Sequence, residues 1–368
     1  MGISWTNSKT LLTFVIYVII IPIDEGRWRE GKEYTMSATT VAEYGKRRLG
    51  RTDIEITPIG LGTWQLAGGK GFDSLIWQDV PNEETTNIIK TVLDGGINWF
   101  DTAEAYGMGR SEKRLSHALQ AAGAGPEDVV IATKWMPLFR TAASIGKNIP
   151  RRRECLDPYP VGLFQIHQPI ALSTITAQMD AMADLVDSGQ IGAVGISNFP
   201  APMMRRAHAA LARRGIPLAS NQVKVSLLNR RIETLGVLKA ARELGMTIIA
   251  WSPLEMGILT GKFHQDPGLL KSRPIGRRIV LRIQLERSRR LVQGLEEIAS
   301  ANGVTPAVVA LSWLVNFYGD TVVAIPGATK VSQVEQNVRA NELKLSAKET
   351  ARIDELSSRF RKLIPFGS

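Results

Sequence analysis

One cysteine, Cys155, and four histidines are all that 368 residues offer for thiolate or imidazole chemistry. An intramolecular disulfide needs two thiols. His117, His167, His208 and His264 show no zinc-ligand spacing, so no metal centre is expected. Long apolar runs are missing too: the strongest, Leu11 to Ile23, is interrupted by Pro22 and falls short of the about twenty residues that span a bilayer. No membrane span is expected. Also absent is the turn that marks most doubly wound sheets, because Gly60-Leu-Gly62-Thr-Trp-Gln65 lacks the third glycine and opens no helix at once. Charge is not scarce. Lys and Arg number 45 against 35 Asp and Glu, and a net +10 favours anionic partners. The basic residues fall in scattered groups such as Arg151 to Arg153 and Arg213–Arg214, without the interleaved aromatics of a nucleic-acid platform. Anionic cofactors or substrates are therefore expected, and nucleic acid is not.

The first 45 residues stand apart from the patterned chain. Residues 1–35 read as a non-native or misassigned leader, with Met36 as the functional start and a membrane anchor as the weaker alternative; a signal-peptide reading fits the apolar length but has no small-residue cleavage site after Pro22. Residues 46–368 form one unit. Lys46 to Ile56 reads as a hairpin, and strand then alternates with helix to the end of the chain. Each strand is a continuous apolar run, which means a parallel sheet covered on both faces. Counting gives eight such strands, and the ends of four in sequence, Asp101, Lys134, His167 and Asn198, recur every 31 to 33 residues. A (β/α)8 barrel of about 250 residues needs about 31 per unit. The expected fold is therefore α/β, a TIM barrel capped by an N-terminal β-hairpin. Residues 136–160, rich in proline and arginine, read as irregular with at most a short helix, and residues 255–285 as a long basic loop.

In such a barrel the reacting groups lie at the C-terminal ends of the strands. Asp101, Lys134 and His167 end three consecutive strands roughly 4.8 Å apart, and Tyr106 sits in the glycine-flanked loop above them. A phenol near pKa 10 is a poor acid at neutral pH, but an adjacent ammonium stabilises its phenolate. Asp101 can fix that ammonium, and His167 can hydrogen-bond a carbonyl oxygen beside the phenol. The set suits protonation of an oxygen on which charge develops. It lacks a nucleophile paired with a base.

GINWFDTAEAYGMGRSE, IATKW, QIH, GISNF, IIAWSPL and IPGATKVSQVEQN, spread across residues 46–360, together resemble the aldo-keto reductases. That resemblance implies reduction of a small-molecule aldehyde or ketone by hydride from NADPH, with NADH possible, in a cytoplasmic oxidoreductase. It implies Tyr106 as general acid, Lys134 tuning it, Asp101 pairing with Lys134 and His167 orienting the carbonyl. Ser197, Asn198 and Gln222 would meet the nicotinamide carboxamide, and Trp251 would stack on its ring. The loops after the last two strands, with Ser252, Pro253 and Leu254 and then Gly327, Thr329, Lys330 and Gln333, would hold the phosphates, and Gln336 and Asn337 would face adenine. A helix N-terminus after Lys330 favours anions on physical grounds as well. Trp64 and Trp135, with the loops around Phe72 and Trp77, are expected to form an apolar substrate mouth. The alternative implied by the same family is a cofactor-sensing barrel bound to a membrane or other partner protein, with little turnover. Oligomeric state is not legible.

Overall fold

The computed structural model describes residues 45–68, 79–271 and 275–361. The expected leader, the start at Met36, and Phe72 and Trp77 lie outside the described residues. An antiparallel hairpin, β1 Arg47–Arg48 and β2 Glu55–Ile56, precedes eight parallel strands. These are β3 Leu61–Gly62, β4 Trp99–Asp101, β5 Val130–Trp135, β6 Leu163–Ile166, β7 Ala193–Ser197, β8 Leu218–Lys224, β9 Thr247–Trp251 and β10 Val322–Ala324, paired in chain order. The two edges meet. Gly60 N donates to Ala324 O and Ala324 N to Pro58 O, each at 2.9 Å, so the sheet closes into the expected (β/α)8 barrel.

Helices α1 Asn82–Asp94, α2 Arg110–Ala121, α3 Ala143–Leu156, α4 Ile175–Asp187, α5 Ala201–Ala212 and α6 Val237–Leu244 follow β3 to β8 in turn. Helices α7 Ile275–Ala301 and α8 Pro306–Phe317 lie between β9 and β10, and α9 Val331–Glu342 and α10 Ala347–Ser357 follow β10. Among the described residues no single helix is long and apolar enough to cross a membrane.

Because strand side chains alternate, each strand feeds two cores. Phe100, Ile131, Phe164, Val194, Ile248 and Val322 point outward into the large core beneath the helices. Trp99, Ala132, Leu163, Ala193, Ile249 and Val323 point inward and fill the barrel, joined by Leu49 and Ile56 of the hairpin. The hairpin seals the N-terminal end: Gly50 N donates to Thr247 Oγ1 at 2.8 Å, and Arg47 to Val322 O at 2.8 Å.

Two expectations need correction. Residues 136–160 are not irregular, since α3 occupies 143–156. Pro150 removes a helical donor, but it and its would-be acceptor residue Gly146 both face solvent, where water can satisfy the carbonyl. The buried stripe Ile145, Ile149, Arg152, Cys155 and Leu156 holds the helix in place. The expected loop 255–285 is likewise partly helical, with α7 beginning at Ile275 and preceded by 3-10 turns at Glu255–Thr260 and Pro267–Leu270. Leu281, Leu285, Ser288, Leu291, Val292 and Leu295 are buried along it, a helical stripe that the surrounding arginines dilute.

Candidate active site

Asp101, Lys134 and Gln165 stand two residues above the inward Trp99, Ala132 and Leu163, so they form the first polar layer above the apolar filling. Lys134 is 0% and Asp101 2% exposed at the side chain, and the two form an ion pair through Asp101 Oδ1. Withdrawing such a pair from water costs several kcal/mol per ion unless the remaining donors and acceptors are satisfied. Here they are: Lys134 Nζ also donates to Thr102 O at 2.8 Å and to Tyr106 Oη at 3.5 Å, while Asp101 Oδ2 accepts from Gln222 at 2.7 Å and Gln165 at 3.2 Å. Burial holds the Lys134 ammonium below its ordinary pKa, and Asp101 opposes that shift.

Tyr106 is carried out of β4 by a tight turn. Gly107, Met108 and Gly109 follow it with φ of 65°, 56° and 96°, left-handed backbone that glycine adopts freely and methionine rarely. The turn is pinned by Ser111. Although Ser111 suits a helix cap, its hydroxyl donates instead to Thr63 O at 2.7 Å and accepts from Thr102 Oγ1 at 3.0 Å, fully buried. The Tyr106 ring then stacks on Trp64 at 5.6 Å, meets the His167 ring edge-on at 5.8 Å and lies 5.0 Å from Lys134 Nζ. Burial, and secondarily Lys134, press the His167 pKa well below the usual imidazole range, so the ring is neutral. Its Nδ1 is buried without a hydrogen-bond partner among the described residues. The four side chains expected to act together do converge at one barrel mouth.

The residues expected at the nicotinamide lie beside them. Trp251 Nε1 donates to Asn198 Oδ1 at 3.1 Å, Asn198 Nδ2 to His167 O at 3.3 Å and Ser197 Oγ to Gln222 O at 2.9 Å. Asn198 and Ser252 both have left-handed backbone, with φ of 63° and 54°. The Gln222 amide nitrogen, however, is turned to Asp101. At the expected phosphate end, Gln333 Oε1 accepts the Thr329 amide at 2.9 Å, and Glu84 of α1 accepts the Val331 amide at 3.2 Å. Two amides at the start of α9 are thus capped by the chain itself. Gln336 accepts from Thr305 at 3.0 Å, and Asn337 is buried with Nδ2 unpartnered among the described residues. Pro253 and Leu254 follow Ser252 toward the 3-10 turn at Glu255, and Gly327 packs so closely on Gln65 that a Cβ there would collide with its amide.

Trp135 does not line the mouth. Following Lys134 in β5, it points outward, is fully buried, donates from Nε1 to Ser144 Oγ at 3.1 Å and lies under the Arg140 guanidinium. Strand alternation carried that information. The same rule, applied to the strand ending on His167, would have found Gln165, which the motif reading passed over. Glu104, also missed, accepts the Arg140 guanidinium and the Met136 amide, each at 2.5 Å, and so ties the tyrosine segment to the loop after β5.

The sequence profile of the Aldo/keto reductase family matches residues 58–358. An uncharacterized oxidoreductase of Mycobacterium tuberculosis is 39% identical over 318 residues, covering 83% of this chain and 91% of its own length. The chloroplastic pyridoxal reductase of Arabidopsis thaliana is 31% identical over 316 residues, 82% of this chain and 83% of that protein. Among solved structures, a thermostable aldo-keto reductase in complex with the inhibitor epalrestat superposes with a TM-score of 0.67 at 29% identity, over 84% of this chain and 99% of the other.

Proposed function

The chain belongs to the aldo/keto reductase family, and from that premise we propose that it reduces aldehydes or ketones to alcohols with NADPH, with Tyr106 as the proton donor. The observation that carries this reading is Lys134 Nζ at 3.5 Å from Tyr106 Oη with Asp101 behind it, in a site where the neighbouring imidazole is neutral. Buried polar atoms without partners among the described residues, His167 Nδ1, Gln65 Oε1 and Asn337 Nδ2, suit a mouth that gains hydrogen-bonding groups when a dinucleotide and a carbonyl compound enter.

When bound, the nicotinamide supplies the hydride. The protein does the rest. His167 orients the carbonyl oxygen toward Tyr106 Oη. As negative charge grows on that oxygen, Tyr106 gives up its proton, and Lys134 stabilises the phenolate left behind; such general acid catalysis is worth about 10² to 10⁴ in rate. Ser197, Asn198 and Trp251 would position the nicotinamide, Ser252, Pro253 and Leu254 would border its phosphates, and Gly327, Thr329, Lys330 and Gln333 would receive the 2′-phosphate. Gln336 and Asn337 lie toward the adenine.

Four large apolar side chains are exposed on the loops that follow β4, β5 and β6: Met108 at 87%, Phe139 at 74%, and Ile170 and Leu172 at 66% each. They adjoin the segments that carry Tyr106 and His167, and with Trp64 they favour aromatic and medium-sized apolar carbonyl substrates. Pyridoxal, the substrate in one relative's name, belongs to that class. NADPH consumption against pyridoxal, benzaldehyde, methylglyoxal and sugar aldehydes tests the reading. Turnover with the aromatic members is expected; tight NADPH binding without turnover on any member would instead favour a cofactor-sensing subunit.

A further inference from the structure

We propose that Gln165 is a positioning residue for the reaction, holding one oxygen of Asp101 so that the other faces Lys134; this rests on the reductase reading above. Asp101 Oδ1 pairs with Lys134, and Oδ2 accepts from Gln165 Nε2 at 3.2 Å and from Gln222 Nε2 at 2.7 Å. The two amides come from β6 and β8, on either side of β7, so the carboxylate is gripped from two strands. All four side chains are buried. Gln165 lies in register with Lys134 on one neighbouring strand and with Gly195 on the other. At Gly195 a Cβ would come within 2.8 Å of Gln165 Cγ and 2.6 Å of Ser220 Oγ, so the missing side chain is what makes room for the amide.

An amide is the suitable group at this position. It donates at every working pH and adds no charge. An aliphatic side chain would leave Oδ2 with Gln222 alone, and an ionised acid would set two carboxylates against each other. Gln165 touches neither Tyr106 nor the carbonyl mouth through any of these bonds; it acts through Asp101, which acts through Lys134. On the inward face of β6 it is flanked by the apolar Leu163 below and His167 above, at the level of the buried ion pair.

Three variants, Gln165→Met, Gln165→Glu and Tyr106→Phe, test this beside the unaltered protein. Three quantities are read: single-turnover NADPH oxidation with benzaldehyde, NADPH affinity from tryptophan quenching, and the melting temperature. Loss of one charge-assisted hydrogen bond predicts that Gln165→Met slows hydride transfer about tenfold while its NADPH dissociation constant stays within about twofold. Gln165→Glu keeps the shape of glutamine. Its carboxyl repels Asp101 when ionised and donates to it when protonated, so its rate relative to the unaltered protein should climb several-fold from about pH 8 to about pH 6. The ratio for Gln165→Met should stay flat. A merely structural glutamine would lower the melting temperature of either variant without that pH signature. Normal hydride transfer in Gln165→Met overturns the proposal, as does a flat ratio for Gln165→Glu. If Gln165→Met does not fold, the Glu variant decides alone. Full activity in Tyr106→Phe would instead remove the reductase mechanism, and the proposal with it.

Discussion

Consecutive residues of β5 serve two buried ion pairs on opposite faces of the barrel wall. Lys134 points inward to Asp101, and Thr133 points outward, donating to Glu112 Oε1 at 2.7 Å, while Arg152 of α3 donates to Glu112 Oε2 at 2.6 Å. Both pairs are removed from water. They differ in what lies beyond them: the inner pair opens through Tyr106 onto the mouth, whereas the outer pair is enclosed between α2 and α3. Burial raises Glu112 to about 7 against the opposing pull of Arg152 and Thr133. The lesson is that a buried charge pair does not by itself mark a site. What sets the inner pair apart is the phenol at its edge and, beside it, an imidazole nitrogen with no partner among the described residues.

Substitutions can break that contrast. The largest effect is expected from Lys134→Met, which should lower single-turnover reduction by about 10³-fold or more and, by leaving Asp101 buried without its counter-ion, also destabilise the fold by about 3 to 5 kcal/mol. Arg152→Met should carry the second cost without the first. Chemical denaturation at about pH 9, where Glu112 is ionised, should show a loss of about 3 to 5 kcal/mol, with kcat of the folded fraction within about threefold of the unaltered protein. A collapse of kcat there would erase the distinction between the two faces.

A smaller effect separates the pairs by pH. Since Glu112 titrates near 7 when folded, against an ordinary value of 4.5, the folded chain binds a proton that the unfolded chain has released. Its contribution is therefore fully present below about pH 4.5 and is lost as pH rises through about 7, by up to about 3 kcal/mol. Denaturant midpoints across that window should fall with pH, and Glu112→Gln should flatten the slope. The smallest changes belong to the mouth's far end. Lys330→Met should weaken NADPH about tenfold with little change for NADH, about 1.4 kcal/mol. Glu84→Gln, which removes a negative group from the Val331 amide, should strengthen NADPH a few-fold. Fluorescence titration with both cofactors reads each.

The barrel was legible because its strands are uninterrupted apolar runs at near-constant spacing, and the four converging side chains because each ends a strand or follows one closely. Helix α3 was hidden by Pro150 and by a core position held by Arg152, whose burial is intelligible only once Glu112 is known to face it. Trp135 was misplaced through its aromatic character, although its parity with Lys134 sends it outward. Gln165 and Gln222 point to a different limit: which partner an amide chooses depends on neighbours across two strands, and motif reading treats each strand alone. Ser111 shows the same thing, a residue with a helix-cap signature whose hydroxyl is taken by Thr63.

Single-turnover reduction by Tyr106→Phe, preloaded with NADPH and mixed with an aromatic aldehyde, tests the central claim most directly. NADPH should bind with unchanged affinity and fold stability should stay within about 1 kcal/mol, while hydride transfer slows by about 10² or more. Transfer at nearly the unaltered rate would contradict the assignment of Tyr106 as the proton donor.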